Sequence, residues 1–260
     1  MRGEVTMLTD ELTAWARTDL LAAYRILCLL LYWSDQTTVR CIRDEQSSLQ
    51  AVAMRWDPAT TRHPGAVRIH YASRTDEALE EALSLIPPEP GCVIVAPNTD
   101  AHRCLLDLQP VTRQPDELFY IFSRDRAPVT VRSVRRISAD QAPDVGLREP
   151  WDWPAILGEP ATERRIHCIV EGGQAVAVAA AGYPTALTEE VRGVWVADEL
   201  RRQGYGRAVV TSATADIMSR GRIPLYETSA DNTASQRLAE SVGYARLGSW
   251  LRLEYGGQEG

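Results

Sequence analysis

The sequence predicts an α/β (α+β) chain folded as two consecutive domains. Three observations carry that expectation. The chain has 260 residues of which 45% are hydrophobic, enough for two cores of ordinary domain size. Its apolar residues switch repeatedly between period two and period 3.6, the marks of strands and amphipathic helices. The order of elements in the first half also recurs in the second, which points to a structural duplication; the other reading is one α/β domain joined to an unrelated N-terminal one.

In order, the first half reads as a helix over 8 to 32, then strands over 38 to 43, 49 to 56 and 66 to 71. Thr75 is placed as the N-cap of the next helix, with Asp76 and Glu77 favourable in its first turn. A short apolar strand, Cys92 to Val95, leads to a helix over 99 to 107 and a strand Leu118 to Phe122. The charged, proline-bearing segment 123 to 133 sets the expected boundary, giving domains 1–125 and 126–260.

The second half adds a first strand, Val129 to Val134, and a capping box "SADQ" at 138 to 141. "IHCIVEGGQAVAVAAAG" reads as a hairpin turning at Gly172 and Gly173. There follow a strand over 189 to 196, a helix from about 204 to 220 stopped by Gly221, a strand over 223 to 228, a helix over 232 to 242 and a strand over 244 to 254.

The net charge is −7 and the chain has no lysine, so a protein that coats nucleic acid is excluded as an expectation. Leu20 to Trp33 is apolar but too short to span a bilayer, and Arg25 interrupts it; no membrane role and no signal peptide are expected. Cys28, Cys41, Cys92, Cys104 and Cys168 lie far apart without a CxxC pair, as suits thiols in a reducing cytoplasm rather than a disulfide framework or a metal site. His63, His70, His102 and His167 show no ligand spacing and are assigned to surface or core.

The segment "VADELRRQGYGRAVV" concentrates Arg201, Arg202 and Arg207 around Gly204 and Gly206, where an apolar-periodic helix begins. Glycines allow a close backbone approach, and the unpaired amides of a first helical turn attract an anion. Arg207 would oppose the helix dipole unless an anion lies there. The dinucleotide pattern GxGxxG does not fit: Val209 stands at the third glycine position, and seven residues separate Val196 from Gly204 where such a loop leaves its strand directly.

"RRQGYG" resembles the R/Q-x-x-G-x-G/A pyrophosphate loop of the GNAT superfamily of N-acetyltransferases, with Arg201, Gly204 and Gly206 in the motif positions. "NTASQRLAESVGYARLG" resembles the later motif of that superfamily through Asn232, Gly243 and Tyr244, and its spelling is most similar to the glycine N-acyltransferase-like branch. The resemblance covers about 129 to 256. It implies two tandem GNAT-like domains, each a mixed, mostly antiparallel central sheet flanked by helices, the first degenerate and the second catalytic.

For the site, the resemblance implies acetyl-CoA as cosubstrate and no metal. Backbone amides from Arg201, Arg202, Gln203, Gly204, Tyr205, Gly206 and Arg207 would hold its pyrophosphate. Main-chain groups of Val194 and Val196, on either side of Trp195, would pair with the pantetheine arm like an added strand, and N–H groups on that strand would face the oxyanion. Asn232 and Ser235 would lie near the end of that arm, though Asn232 is equally read as a plain helix N-cap.

Glu190 is the candidate general base because several members of the superfamily carry a glutamate there; the alternative is a solvated pair with Glu189 at the strand end. Many members place a tyrosine seven residues after the motif asparagine, and here that residue is Ala239, which leaves the proton donor unnamed. The expectation is therefore an N-acetyltransferase acting on a small-molecule or peptide amine, as a monomer or homodimer. A CoA-binding or regulatory protein without turnover is the second reading. The first half has "ASRTDEALEEAL" where the loop would be, a helix start that repels phosphate. Trp151 and Trp153 lie where core packing or an acceptor pocket would place them.

Overall fold

The computed structural model describes residues 2–57, 67–122, 132–148, 153 and 165–256. They form two compact units, Met1–Leu118 with Gly248–Gly260, and Phe119–Leu247. Unit 1 opens with α1 (Arg2–Thr18) and α2 (Leu20–Trp33) rather than one continuous helix. Asp19 makes the break: its φ of −141° is not helical, and its carboxylate accepts from the Ala22 amide at 3.0 Å as the N-cap of α2.

Strands β1 (Thr37–Arg43), β2 (Leu49–Trp56), β3 (Arg68–Ser73) and β4 (Val93–Pro97) lie side by side in that order. The first two joins are antiparallel and the β3–β4 join is parallel, crossed by α3 (Asp76–Leu85). Thr75 caps α3 as expected, accepting from the Ala78 amide at 3.2 Å. The expected helix near 99 to 107 winds instead as a 3₁₀ segment, Asp100–Asp107, the tighter form common in short connectors. A short β5 (Val111–Arg113) and β6 (Glu117–Phe122) follow.

Unit 2 contains β7 (Arg135–Ser138), β8 (Gly146–Leu147), β9 (Arg165–Glu171), β10 (Gln174–Gly182), β11 (Thr188–Val196), α4 (Tyr205–Ser219), β12 (Ile223–Ser229) and α5 (Thr233–Val242). Its sheet runs β6-β12-β11-β10-β9-β7. The first strand lies later than expected because buried Ile137 is its apolar anchor, opposite Ile166; residues 129 to 131 of the expected strand lie outside the described ones. Ser138 and Gln141 make both bonds of the capping box. The hairpin turn at Gly172 and Gly173 is present, with φ of 58° and 82°.

The final strand, β13 (Tyr244–Tyr255), divides between the units, unlike the expected split at 125/126. Its last residues pair antiparallel with β4, burying Trp250, Leu251 and Leu253 in unit 1. Conversely, Phe119, Tyr120 and Phe122 of β6 bury in unit 2, where Phe122 meets Tyr244 edge-on at 5.3 Å. A sequential boundary assigns each strand to its chain neighbours; apolar burial assigns it to the sheet that covers it.

Candidate functional site

The site grows from β11. This strand pairs antiparallel with β10 and parallel with β12, but the parallel pairing ends at Val191↔Tyr226 while β11 runs on to Val196 and β12 to Ser229. The two strands therefore part, and the β12-facing edge of Arg192 to Val196 is backbone without a strand partner among the described residues. Between Val178↔Trp195 and Ala180↔Arg192, β11 carries one residue more than β10. Gly193, with φ of 56°, allows this β-bulge, which leaves an amide of the Gly193–Val194 pair outside the ladder.

After β11 the chain makes a single 3₁₀ turn, Asp198–Leu200, and enters the arginine and glycine loop. Arg202 has φ of 61°, and Gly204, the N-cap of α4, has φ of 84°, a left-handed conformation that a glycine adopts without a Cβ penalty. Ala208 is the first helical residue whose amide closes on a carbonyl, that of Gly204 at 3.0 Å. The amides of Arg202 to Arg207 have no backbone acceptor among the described residues, so they form a cluster of donors at the positive end of a 15-residue helix. A Cβ on Gly206 would stand 3.4 Å from both Leu238 Cδ2 and Val196 Cγ2, so the first turn is drawn close to the end of β11 and to α5.

The arginines differ in their roles. Arg201 is exposed but bonded within its own loop, its guanidinium 2.6 Å from Asp198 and donating to the Val196 carbonyl at 3.2 Å. Arg202 and Arg207 are exposed and have no ion-pair partner among the described residues. Arg132, which the sequence does not single out, donates to the Gln203 carbonyl at 3.0 Å and lies over the Tyr205 ring at 4.1 Å. The Tyr205 hydroxyl in turn donates to Glu171 at 2.6 Å, and Gln203 donates to the Glu199 carbonyl at 2.9 Å. The loop is thus held by side-chain contacts to carbonyls, a carboxylate and a ring, none of which takes up the amides of Arg202 to Arg207 among the described residues.

Asn232 is the N-cap of α5, its Oδ1 accepting from the Ser235 amide at 3.1 Å, so the plain capping role is present. The Ser235 hydroxyl lies 2.8 Å from the Tyr226 hydroxyl. Tyr226 stands at the last paired position before β11 and β12 part, packed against Tyr244 at 5.6 Å. Burial raises its phenol above the usual range, partly offset by the Ser235 hydrogen bond and reinforced by the Glu190 charge, so it carries its proton at neutral pH.

The glutamate pair separates by face. Glu190, half-buried, sits in one row with Gly182 and Leu225, on the same face as Arg192, whose guanidinium lies over the Tyr183 ring at 4.3 Å. Glu189 points the other way and is fully buried, contrary to the expectation of a solvated strand end. Arg165, Arg220 and Arg222 hold its carboxylate, the last two at 2.8 and 3.4 Å. Period-two alternation puts neighbours on opposite faces, and only one of these faces meets α4.

Asp216 of α4 completes this cluster, bonded by Arg136 at 2.8 Å, Arg165 at 2.9 Å and Arg220. The cluster ties the start of β11 to the end of α4 and so fixes the far ends of the segment that carries the loop. Burial pushes the Asp216 carboxyl up, but the His167 imidazole 3.6 Å away and the guanidiniums outweigh it and hold the group well below its usual range. Such a group contributes stability above its unfolded pKa of about 3.9 and loses it as pH falls toward the folded value. The difference in urea midpoint between wild type and Asp216→Asn is therefore expected to be constant from pH 7 to about 5 and to shrink below about 4; a difference that grows on acidification contradicts the assignment.

The other histidines with described surroundings are core residues. His102 Nδ1 lies 2.8 Å from the Thr99 hydroxyl and burial lowers its pKa to about 4, while His167 Nδ1 lies 3.0 Å from the Ser212 hydroxyl. His63 and Trp151 lie outside the described residues, and Trp153 donates to the Val145 carbonyl at 2.9 Å. The five cysteines are free thiols. Among the described residues no group of three His, Cys, Asp or Glu side chains is placed to hold a metal, and no helix is long and apolar enough to cross a membrane.

Parted parallel strands, a bulge on the first of them and a glycine-capped helix after it thus lie together, in a fold that is similar to that of solved GNAT acetyltransferases, a tandem GNAT protein among them. Residues 169–253 match the family model described as FR47-like protein. None of the curated protein sequences matches the chain. Among solved structures, a Drosophila protein is 14% identical with a TM-score of 0.67, over 99% of this chain and 98% of that one. A GCN5-related N-acetyltransferase from Kribbella flavida is 17% identical with a TM-score of 0.60, over 91% and 96%. A tandem GNAT protein from the clavulanic acid biosynthesis pathway is 11% identical with a TM-score of 0.56, over 98% and 96%. These likenesses are likenesses of fold.

Proposed function

We propose that the protein is an acetyl-CoA-dependent N-acyltransferase whose unit 2 moves the acyl group directly to an amine in a ternary complex. The observation that carries this reading is the run of unbonded amides from Arg202 to Arg207 at the start of α4, beside two strands that part. Those amides suit a pyrophosphate, with Arg202 and Arg207 adding charge at its rim. The free edge of β11 suits the amide groups of a pantetheine arm. CoA, when bound, supplies the thioester; the chain supplies position and protons.

On this reading Glu190 takes the proton of the attacking amine, directly or through water, from the face that it shares with Arg192. The amide freed at the Gly193–Val194 bulge donates to the developing oxyanion. Tyr226, protonated and hydrogen-bonded to Ser235, donates to the departing thiolate from the other face and fills the role left by Ala239. The gap between β11 and β12 gives groups on both faces access to one point. The acceptor is a small-molecule or peptide amine, and the protein works as a monomer or homodimer.

The second reading, a protein that holds CoA without turnover, draws on Ala239. Acetyl-CoA at about 100 times its Kd would stabilise a one-site protein by about 2.7 kcal/mol, which at this size raises Tm by roughly 5–10 °C. Gly206→Val should abolish that rise, because its methyl groups enter space held by Leu238 and Val196. Thermal scans with and without acetyl-CoA check binding; release of free thiol against a panel of amines checks transfer. Binding without thiol release under any amine selects the second reading, and no thermal rise in wild type defeats both.

A further inference from the structure

The loop before α4 needs support from outside itself. Arg202, at φ of 61°, holds a backbone conformation that residues other than glycine seldom adopt, and such a conformation persists only where its surroundings impose it. Two of the residues that impose it come from far along the chain. Arg132 precedes β7, and Glu171 ends β9 at the hairpin turn.

These two meet the loop through Tyr205, the first residue of α4. The Glu171 carboxylate accepts from the Tyr205 hydroxyl at 2.6 Å and fixes the ring, and the Arg132 guanidinium lies over that ring at 4.1 Å. The Glu171 hydrogen bond also raises the Tyr205 phenol above its usual range, so the hydroxyl stays a donor at neutral pH. Seated in this way, Arg132 donates to the Gln203 carbonyl at 3.0 Å.

The consequence lies on the other side of the same peptide. The Gln203 carbonyl and the Gly204 amide belong to one planar trans unit, so they point in opposite directions. A guanidinium that holds the oxygen therefore aims the Gly204 N–H away from itself, and it polarises the peptide in the sense that strengthens that donor. Gly204 is the N-cap of α4, and its N–H has no acceptor among the described residues. Arg202 and Arg207 bring charge to this helix start; Arg132 sets the direction of an amide.

We propose that Arg132 is a positioning residue for the acyl donor: through the Gln203–Gly204 peptide it aims the Gly204 amide at the pyrophosphate of acetyl-CoA, with Tyr205 and Glu171 as its seat. The inference rests on the acyl-CoA reading of unit 2 and adds to it a residue outside the loop. Gln203–Gly204 is the only Gln–Gly pair in the sequence, so the full chain labelled with ¹³C-carbonyl glutamine and ¹⁵N-glycine gives one carbonyl–amide cross-peak, from this peptide.

In the ligand-free protein, Arg132→Met is expected to move that carbonyl resonance upfield, as a carbonyl does on losing a donor. Calorimetry of the same variant is expected to show the Kd for acetyl-CoA raised about tenfold, the scale of a hydrogen bond from a charged group. Arg132→Lys keeps the charge without the flat, stacked donor, and is expected to follow Arg132→Met in both measurements. An unmoved carbonyl in Arg132→Met, or a wild-type Kd in either variant, overturns the proposal. A wild-type chain that does not bind acetyl-CoA defeats the acyl-CoA reading and this inference with it; binding that is equal in wild type and variants defeats this inference alone.

Discussion

Replacing Glu189 by glutamine is expected to destabilise the protein by about 3–5 kcal/mol, the cost of leaving buried charges without their partner. The carboxylate is fully buried and shared by Arg165, Arg220 and Arg222, whose guanidiniums are themselves only a quarter to a third exposed. Glutamine keeps the shape and removes the charge, so Arg222 loses its carboxylate and Arg165 and Arg220 are left to share Asp216. The same change one residue on, Glu190→Gln, is expected to leave stability within about 0.5 kcal/mol, as for a partly exposed position outside such a network. Urea unfolding of the two variants measures the contrast. Equal losses would show that the faces of β11 do not divide the two glutamates as described.

Tyr226→Phe is expected to lower kcat for acyl transfer by about 10²- to 10⁴-fold, the usual scale of general acid catalysis, with KM for acetyl-CoA changed only a few-fold. The phenyl ring keeps its packing against Tyr244 at 5.6 Å, and the stability lost with the Ser235 hydrogen bond is about 0.5–1.5 kcal/mol. A purely structural tyrosine would show the second effect without the first. In Glu190→Gln the loss should instead shrink at high pH, where more of the amine is already neutral. Transfer by Tyr226→Phe at the wild-type rate would mean that solvent protonates the thiolate.

Much of unit 2 was legible because its signals are local. The capping box at Ser138, the glycine pair in the hairpin and the glycines at the head of α4 each specify a backbone conformation from a few adjacent residues. Gly193 carries a signal too, since a glycine inside a strand pattern marks a bulge, but the apolar alternation around it predicts an uninterrupted strand. Tyr226 had none: nothing in "IPLYETS" places a hydroxyl beside Ser235, a contact that exists only once α5 folds back over β12. Arg132 and Glu171 also lie far in sequence from the loop that they brace, 71 and 34 positions from the residues they bond.

By itself the sequence determined the α/β class, the order of elements and the position of the arginine and glycine loop, because periodicity, caps and glycine conformations act over a few residues. Only the tertiary structure decided which glutamate is clamped and which is available, since alternation gives two faces but not the one that α4 covers. It also decided that β13 divides between the units. Strand pairing is chosen by the apolar surface that it removes from water, a sum over the whole fold that no short stretch of residues contains.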